Sequence, residues 1–280
     1  MVATMTHSQP AADTIARMDY NQLIGVVRET NRPPGGEHAI YRLAQQAFLG
    51  SHSRVLEIGT STGVTAIELA RLAGCHVVAI DINEMSLQVA RQRAEAAGVK
   101  DLIEFRREDA SRTSFGDGSF DFVFCGNVTS LIDQRDAALR EYCRVLRVGG
   151  FLGAIPMYYV ATPSDELVAR VCAAIKVAIT PRDRRYWMGF FAAPPLAMFW
   201  NEDYRFDRIS DEKLLAFVTQ ILCRPHLRDL DPDAASTLQT KYSEYMWLFR
   251  DNLALMGFTL MLLRKEDEAV DPELFTSYKL

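Results

Sequence analysis

The sequence has few cysteines and no long apolar run. Its five cysteines are far apart and form no CxxC pair, which argues against both a zinc site and a secreted disulfide framework, so we expect no metal. No apolar run approaches the roughly 18 residues of a membrane span, and the first twenty residues contain no apolar core of signal-peptide length. These absences favour a cytoplasmic protein that does not enter a membrane.

The sequence also lacks an excess of basic residues. Its 31 lysines and arginines stand against 36 acidic residues, a formal net charge of −5, which argues against nucleic acid as a partner and favours a small-molecule substrate. The length of 280 residues, 49% of them hydrophobic, suits one large domain or one domain with an insertion. Nothing in the sequence fixes the assembly, and a homodimer is kept as one alternative.

The stretch Arg54 to Gly63, RVLEIGTSTG, predicts a strand, a glycine turn and the start of a helix. Gly59 and Gly63 permit backbone angles and close approaches that a Cβ would block, and the following helix would point free amides at a ligand. A dinucleotide-binding fingerprint would need glycines where Ser61 and Val64 stand, so the turn does not match it. We interpret the turn as a site for a nucleoside-containing cofactor.

Acidic residues end the first two predicted strands. Glu57 lies where a carboxylate can organise the glycine turn or contact a cationic ligand. The strand at residues 76 to 80 ends at Asp81, 22 residues after Gly59, where nucleoside-binding α/β folds bind ribose hydroxyls. The alternative for Asp81 is a cap on the helix that begins near Met85.

Later strands repeat this arrangement. A third strand at 103 to 106 precedes Asp109, and a fourth at 120 to 125 precedes Asn127. A helix at 136 to 146 and a fifth apolar run at 151 to 159 follow. This alternation predicts a parallel sheet with helices on both faces and a ligand at the carboxyl ends of the strands.

Taken together, the motifs resemble those of the class I S-adenosylmethionine (SAM) dependent methyltransferases from Arg54 to about Tyr159. They comprise an acidic residue before GxGxG, with Ser61 replacing the middle glycine, then SFDFVFC and RVLRVGG. The resemblance implies an α/β fold with a doubly wound, mostly parallel seven-stranded sheet, an N-terminal helical cap and a helical lid inserted after the fifth strand. It implies SAM as cofactor, with Asp109 and Ala110 contacting the adenine. The residues that it assigns to cofactor binding are Glu57, Gly59, Thr60, Ser61, Gly63, Asp81, Ile82, Asp109, Ala110 and Asn127.

Within that scheme we expect four segments. They are a helical cap at 1–50, a SAM-binding core at 51–160, a helical lid and substrate region with a sheet-completing strand at 161–256, and a last strand with a C-terminal tail at 257–280. Residues 1 to about 13 are polar and small, so we expect them to be loosely attached. Ser164 and Ser210 are expected to cap helices, and strands are expected at 196 to 200 and, antiparallel, at 258 to 263.

The resemblance implies methyl transfer by in-line displacement at a sulfonium. Aromatic faces suit that cation, which is one use for Tyr20 or Tyr158, and His38 is the histidine best placed to act as a general base. Asn127 can accept a hydrogen bond from the amine of SAM or from an acceptor. We predict a methyltransferase for a small molecule in biosynthetic metabolism. Two alternatives stay open: cyclisation of SAM to azetidine-2-carboxylate and methylthioadenosine, or SAM binding without catalysis.

Overall fold

The computed structural model describes residues 10–30 and 32–267, and its described strands form one eight-stranded sheet. The strands are β1 (Arg54–Ile58), β2 (His76–Asp81), β3 (Ile103–Arg107), β4 (Phe120–Gly126), β5 (Leu146–Ala154), β6 (Met157–Tyr159), β7 (Leu196–Arg205) and β8 (Met256–Lys265). Their order is β3-β2-β1-β4-β5-β8-β6, and β7 also pairs with β8. Strands β1 to β5 are parallel, whereas β8 is antiparallel to β5. The predicted α/β fold class is confirmed.

The sheet differs from the prediction in one respect, since it has eight described strands instead of seven. The apolar run at 151 to 159 was expected to form one strand, but β5 ends at Ala154 and β6 begins at Met157. Pro156 lies between them and has no N–H group to continue a strand ladder. The run therefore supplies two strands.

Helices fill the segments between the strands. They are α1 (Ala12–Arg17), α2 (Tyr20–Val27), α3 (Gly36–Gln46), α4 (Val64–Ala73), α5 (Glu84–Ala96), α6 (Arg135–Val145), α7 (Asp165–Ile175), α8 (Arg184–Phe191), α9 (Asp211–Leu222) and α10 (Pro232–Leu253). Ser164 and Ser210 cap α7 and α9 as predicted, because their side chains accept hydrogen bonds from the backbone N–H groups of Leu167 and Lys213. Helices α7 to α10 lie within residues 161–256, where the helical lid and substrate region are expected, and their role as a lid stays a prediction.

The chain divides into two compact units. The sheet unit comprises Asn31–Met157, Asp183–Tyr204 and Phe258–Leu280, and the helical unit comprises Met1–Thr30, Tyr158–Arg182 and Arg205–Gly257. The core of the sheet unit contains fully buried side chains of the central strands, such as Leu56, Phe122 and Leu152. Side chains of α2, α9 and α10, such as Leu23, Val218 and Tyr242, form a separate buried cluster in the helical unit.

The four segments expected from the sequence remain a prediction. Part of the polar start, residues 1–9, and most of the expected C-terminal tail, residues 268–280, lie outside the described residues.

Candidate functional site

The glycine turn joins β1 to α4 at the carboxyl edge of the parallel strands. Gly59, Ser61 and Gly63 have φ angles of 70°, 50° and 80°, in the left-handed region that favours glycine. The N–H groups of Gly59 and Thr60 both donate to the carbonyl of Ile80 at 2.9 Å. These hydrogen bonds fix the backbone of the turn against the end of β2.

Both glycines also have a packing reason to lack a side chain. A Cβ on Gly59 would lie 2.5 Å from the Cγ2 of Val128, and a Cβ on Gly63 would lie 2.7 Å from the Cβ of Ala90. We expected these glycines to let the backbone approach a ligand, but the space that a Cβ would need is filled by protein atoms. A direct ligand contact at either glycine stays a prediction.

Glu57 points into the protein and organises the turn. Its side chain is 3% exposed, and its Oε2 accepts a hydrogen bond of 2.6 Å from the hydroxyl of Thr60. The hydroxyl of Thr65 and the N–H of Ala66 also donate hydrogen bonds to this carboxylate. The carboxylate thus satisfies one of the backbone N–H groups that have no partner within the first turn of α4. Burial raises the pKa of Glu57 to about 7, and these hydrogen bonds oppose that rise. Of the two roles considered for Glu57, the contacts support organisation of the turn.

Asp81 connects the turn to the end of β2. Its Oδ2 accepts a hydrogen bond of 2.8 Å from the N–H of Ser61, and its Oδ1 accepts one of 2.9 Å from the N–H of Asn83. The helix cap is Asn83, whose Oδ1 accepts from the N–H groups of Met85 and Ser86. The alternative in which Asp81 caps this helix is therefore wrong. Asp81 is a partly exposed carboxylate beside the glycine turn.

Three more residues predicted to bind the cofactor, Ile82 and the two expected to contact adenine, Asp109 and Ala110, follow the ends of neighbouring strands. Ile82 directly follows Asp81, and its side chain is 70% exposed. Asp109 is exposed, and its Oδ1 accepts hydrogen bonds from the N–H (2.8 Å) and the hydroxyl (2.7 Å) of Ser111. These two hydrogen bonds hold the pKa of Asp109 below its usual value, so it is an anion at neutral pH. Ala110 is half-buried beside it.

Asn127 follows β4 at the same edge of the sheet. Its side-chain oxygen accepts a hydrogen bond of 3.1 Å from the N–H of Met157, the first residue of β6. Its backbone carbonyl accepts from the hydroxyl of Ser130 at 2.7 Å. The side-chain oxygen that was expected to accept from SAM thus already has one donor, although an amide oxygen can accept a second.

The four predicted catalytic residues are divided between the two units. Asn127 and His38 belong to the sheet unit, where the exposed His38 ring on α3 lies 6.4 Å from the ring of Tyr204. Tyr158 and Tyr20 belong to the helical unit, and the Tyr158 side chain is 4% exposed. The catalytic role of each stays a prediction.

Around Tyr20, the structure places a carboxylate that the sequence analysis missed. Tyr20 and Tyr242 both donate their hydroxyls to Glu29, Tyr242 at 2.8 Å. Burial raises the pKa of Glu29 and the positive charge of Arg224 lowers it, while burial and Glu29 together raise the pKa of Tyr20. Tyr242 lies 213 residues from Glu29 in the sequence, so no local pattern could have indicated this cluster.

The sheet unit fits SAM by the chemistry of its donors and acceptors. A carboxylate for ribose hydroxyls, an exposed apolar side chain for a purine face and a fixed turn at a helix start occur together at one edge of the sheet. Within residues 10–30 and 32–267, no group of three or more His, Cys, Asp and Glu side chains is arranged to hold a metal ion. No helix in the described part of the chain is both long enough and apolar enough to cross a membrane.

Comparison with known proteins identifies relatives of this site. Residues 55–150 match the family model described as a methyltransferase domain. An uncharacterised protein of Haemophilus influenzae is 31% identical over 165 residues, which are 58% of this chain and 66% of that protein. The ubiquinone/menaquinone biosynthesis C-methyltransferase UbiE of Pseudomonas putida is 34% identical over 151 residues, which are 52% of this chain and 58% of UbiE. The chain thus spans less than two thirds of the length of either relative.

A solved structure has a similar fold. The crystal structure of MccD protein matches with a TM-score of 0.74 and 25% identity, covering 84% of this chain and 100% of that one. The glycine turn, Asp81 and strands β2 to β4 lie within the segment that the family model matches. Residues 55–150 thus form a methyltransferase domain, and the sheet has the fold of the class I methyltransferases, the family whose cofactor is S-adenosylmethionine.

Proposed function

We propose that the protein transfers the methyl group of SAM to a small-molecule acceptor. The observation that carries this proposal is the hydrogen bond of 2.8 Å from the N–H of Ser61 to Asp81, which fixes a carboxylate beside a left-handed turn at the start of a helix. SAM, when bound, supplies a methyl carbon made electrophilic by a sulfonium. The residues that we assign to holding it are Asp81 for the ribose, Ile82, Asp109 and Ala110 for the adenine, and the turn from Gly59 to Gly63 with Asn127 for the methionyl part.

The chain's own residues then align the reactants and exclude water. Glu57 holds the turn from the inside and needs no ligand contact to do so. In-line displacement needs little covalent help from the protein, so positioning and desolvation supply most of the rate enhancement. His38 is our candidate for taking a proton from the acceptor, and Tyr20 and Tyr158 are candidates for aromatic contact with a cation.

A small acceptor from biosynthetic metabolism agrees with two observations. The net charge of −5 gives no long-range attraction to nucleic acid, and UbiE, a relative by sequence, is named for quinone biosynthesis. The name of UbiE does not identify the acceptor of this chain. A cytoplasmic location, a homodimer and an in-line mechanism also remain predictions.

The proposal is tested by mass spectrometry of the purified protein. The protein is incubated with SAM alone and then with SAM plus fractionated small-molecule extracts, and S-adenosylhomocysteine, methylthioadenosine and new products are followed. S-adenosylhomocysteine that appears together with an acceptor heavier by one methylene supports methyl transfer.

Two other outcomes would contradict methyl transfer. Methylthioadenosine formed with azetidine-2-carboxylate from SAM alone would establish the cyclisation alternative. SAM that binds by calorimetry but stays intact with every fraction would favour a binding protein. D81N should abolish the product formation or the SAM binding that the native protein shows. D101N, which changes an exposed aspartate outside the site, should retain it.

A further inference from the structure

The start of α6 carries a cation where a helix disfavours one. Arg135 is the first residue of α6, at the end where aligned peptide dipoles already place partial positive charge. The preceding residue, Gln134, gives the helix no side-chain cap hydrogen bond. Asp136 in the first turn offsets part of this charge, but it is exposed. The start of α6 therefore combines backbone donors with a guanidinium.

That guanidinium has no acidic partner among the described residues. Its Cζ lies 5.9 Å from the centre of the Trp187 ring on α8, and no described carboxylate lies within ion-pair distance of it. Both residues belong to the sheet unit. An arginine held over an aromatic face without a counterion keeps its donors available for an anion.

The indole of Trp187, over which this guanidinium lies, carries an unsatisfied donor. Its side chain is 3% exposed, and its Nε1 is buried without a hydrogen-bond partner in the described part of the chain. Leaving a buried donor unpaired costs about 1–3 kcal/mol, and native proteins do so rarely. Aromatic neighbours surround the indole, with ring centres 5.1 Å away for Tyr186 and 5.8 Å away for Phe190. The unpaired N–H is therefore an unusual feature in an apolar setting.

Arg135 lies on the side of the sheet where open α/β folds bind ligands. The chain leaves β4 at Gly126, passes Asn127 and enters α6 at Arg135, so the start of α6 lies on the carboxyl side of the parallel strands. Ligands of open α/β sheets bind on that side. Neither Arg135 nor Trp187 belongs to the residues assigned to SAM.

We propose that Arg135 and the indole N–H of Trp187 bind an anionic oxygen group, a carboxylate or phosphate, carried by the acceptor. The start of α6 adds backbone donors to this anion site, as helix N-termini do for phosphate elsewhere. Because the Trp187 nitrogen is buried, the anion enters only when the aromatic side chains of α8 shift. Assigning the anion to the acceptor rests on the proposed methyl transfer, whereas the existence of the site does not.

The test is an NMR titration of the tryptophan indole N–H groups. The chain has three tryptophans, so a ¹⁵N-labelled sample gives three indole signals, and W187F identifies the one from Trp187. Inorganic phosphate and acetate are added separately at constant ionic strength. We expect the Trp187 signal to move downfield and to saturate with one of them, and R135Q to raise the apparent Kd at least tenfold. R140Q, which removes an exposed arginine further along the same helix, should leave the titration unchanged.

The remaining outcomes each decide the proposal. A Trp187 signal that ignores both anions, in a sample whose other signals show a folded protein, overturns the anion site. A signal that SAM alone moves, and that R135Q then leaves unmoved, assigns the anion to the cofactor carboxylate and overturns the acceptor assignment. A saturating phosphate or acetate shift together with no methyl transfer to any acceptor would leave the site standing and reject the proposed function.

Discussion

Replacing Gly63 by alanine tests whether packing or backbone angle makes this glycine necessary. Gly63 has φ +80°, and a Cβ there would lie 2.7 Å from the Ala90 Cβ and 3.1 Å from its backbone Cα on α5. The matched control is Gly98, which has φ +73° and nothing within 4 Å of its added Cβ. Both positions need a left-handed backbone, but only Gly63 meets a neighbour that cannot turn away.

The two costs can be separated. An L-residue at a left-handed angle costs about 1–2 kcal/mol, and the lost flexibility of the unfolded chain is the same for both Gly→Ala changes and cancels between them. Overpacking against the Ala90 backbone adds about 1–3 kcal/mol at Gly63 alone. We therefore expect G63A to lose about 1–3 kcal/mol more unfolding free energy than G98A.

Stability is measured by urea unfolding monitored by far-UV circular dichroism. SAM affinity is measured by calorimetry in buffer without urea. G63A displaces the start of α4 and should weaken SAM binding at least tenfold, while G98A should leave it within a factor of two. Equal losses of stability in the two variants would refute the packing argument and leave the backbone angle as the whole cost.

Four further outcomes follow from the site. Because burial raises the folded pKa of Glu57 from 4.5 to about 7, the folded state holds a proton that the unfolded state has lost, so stability falls by about 3 kcal/mol as pH rises from about 4.5 to 7. Urea unfolding across this range should show the fall in the native protein and its absence in E57Q. Calorimetry should show SAM affinity reduced at least tenfold in D81N and unchanged in D101N. Y20F should lose about 1 kcal/mol of stability because it loses the hydroxyl that donates to the half-buried carboxylate of Glu29, and a rate loss above tenfold would be needed to support catalysis. H38A should lower the rate of methyl transfer at least tenfold at saturating SAM and acceptor if this ring is the base, and a rate equal to that of the native protein would exclude it.

Local chemistry made most of the sheet unit predictable. Short β-branched runs, a glycine turn and acidic strand ends are features of neighbouring residues, so β1 to β4 and the position of Asp81 could be inferred from the order of residues. Ser164 and Ser210 were predictable as caps for the same reason, since capping acts within three residues. The division of the fifth strand was within reach as well, because Pro156 cannot complete a ladder.

The parts that escaped prediction depend on contacts between distant residues. Glu29 meets Tyr242 across 213 residues, and Trp187 meets Arg135 across two different helices. In a sequence, an arginine at a helix start and a tryptophan in an aromatic run are ordinary. Only the fold shows that no described carboxylate pairs with Arg135. It also shows that no described acceptor lies within hydrogen-bond distance of the Trp187 indole N–H.

The two acidic residues of the motif, Glu57 and Asp81, differ in their surroundings in a way that the sequence alone could not show. Glu57 is the last but one residue of β1 and Asp81 is the last residue of β2, yet Glu57 is buried under the glycine turn while Asp81 is partly exposed beside it. Their like charges repel, and this repulsion contributes to the raised pKa of Glu57, although burial contributes most. A carboxylate that holds a proton near neutral pH can support the turn without adding a second full charge next to the first. Asp81 is then the partly exposed carboxylate that we propose for the ribose hydroxyls, while the contacts of Glu57 are all with the turn and the start of α4.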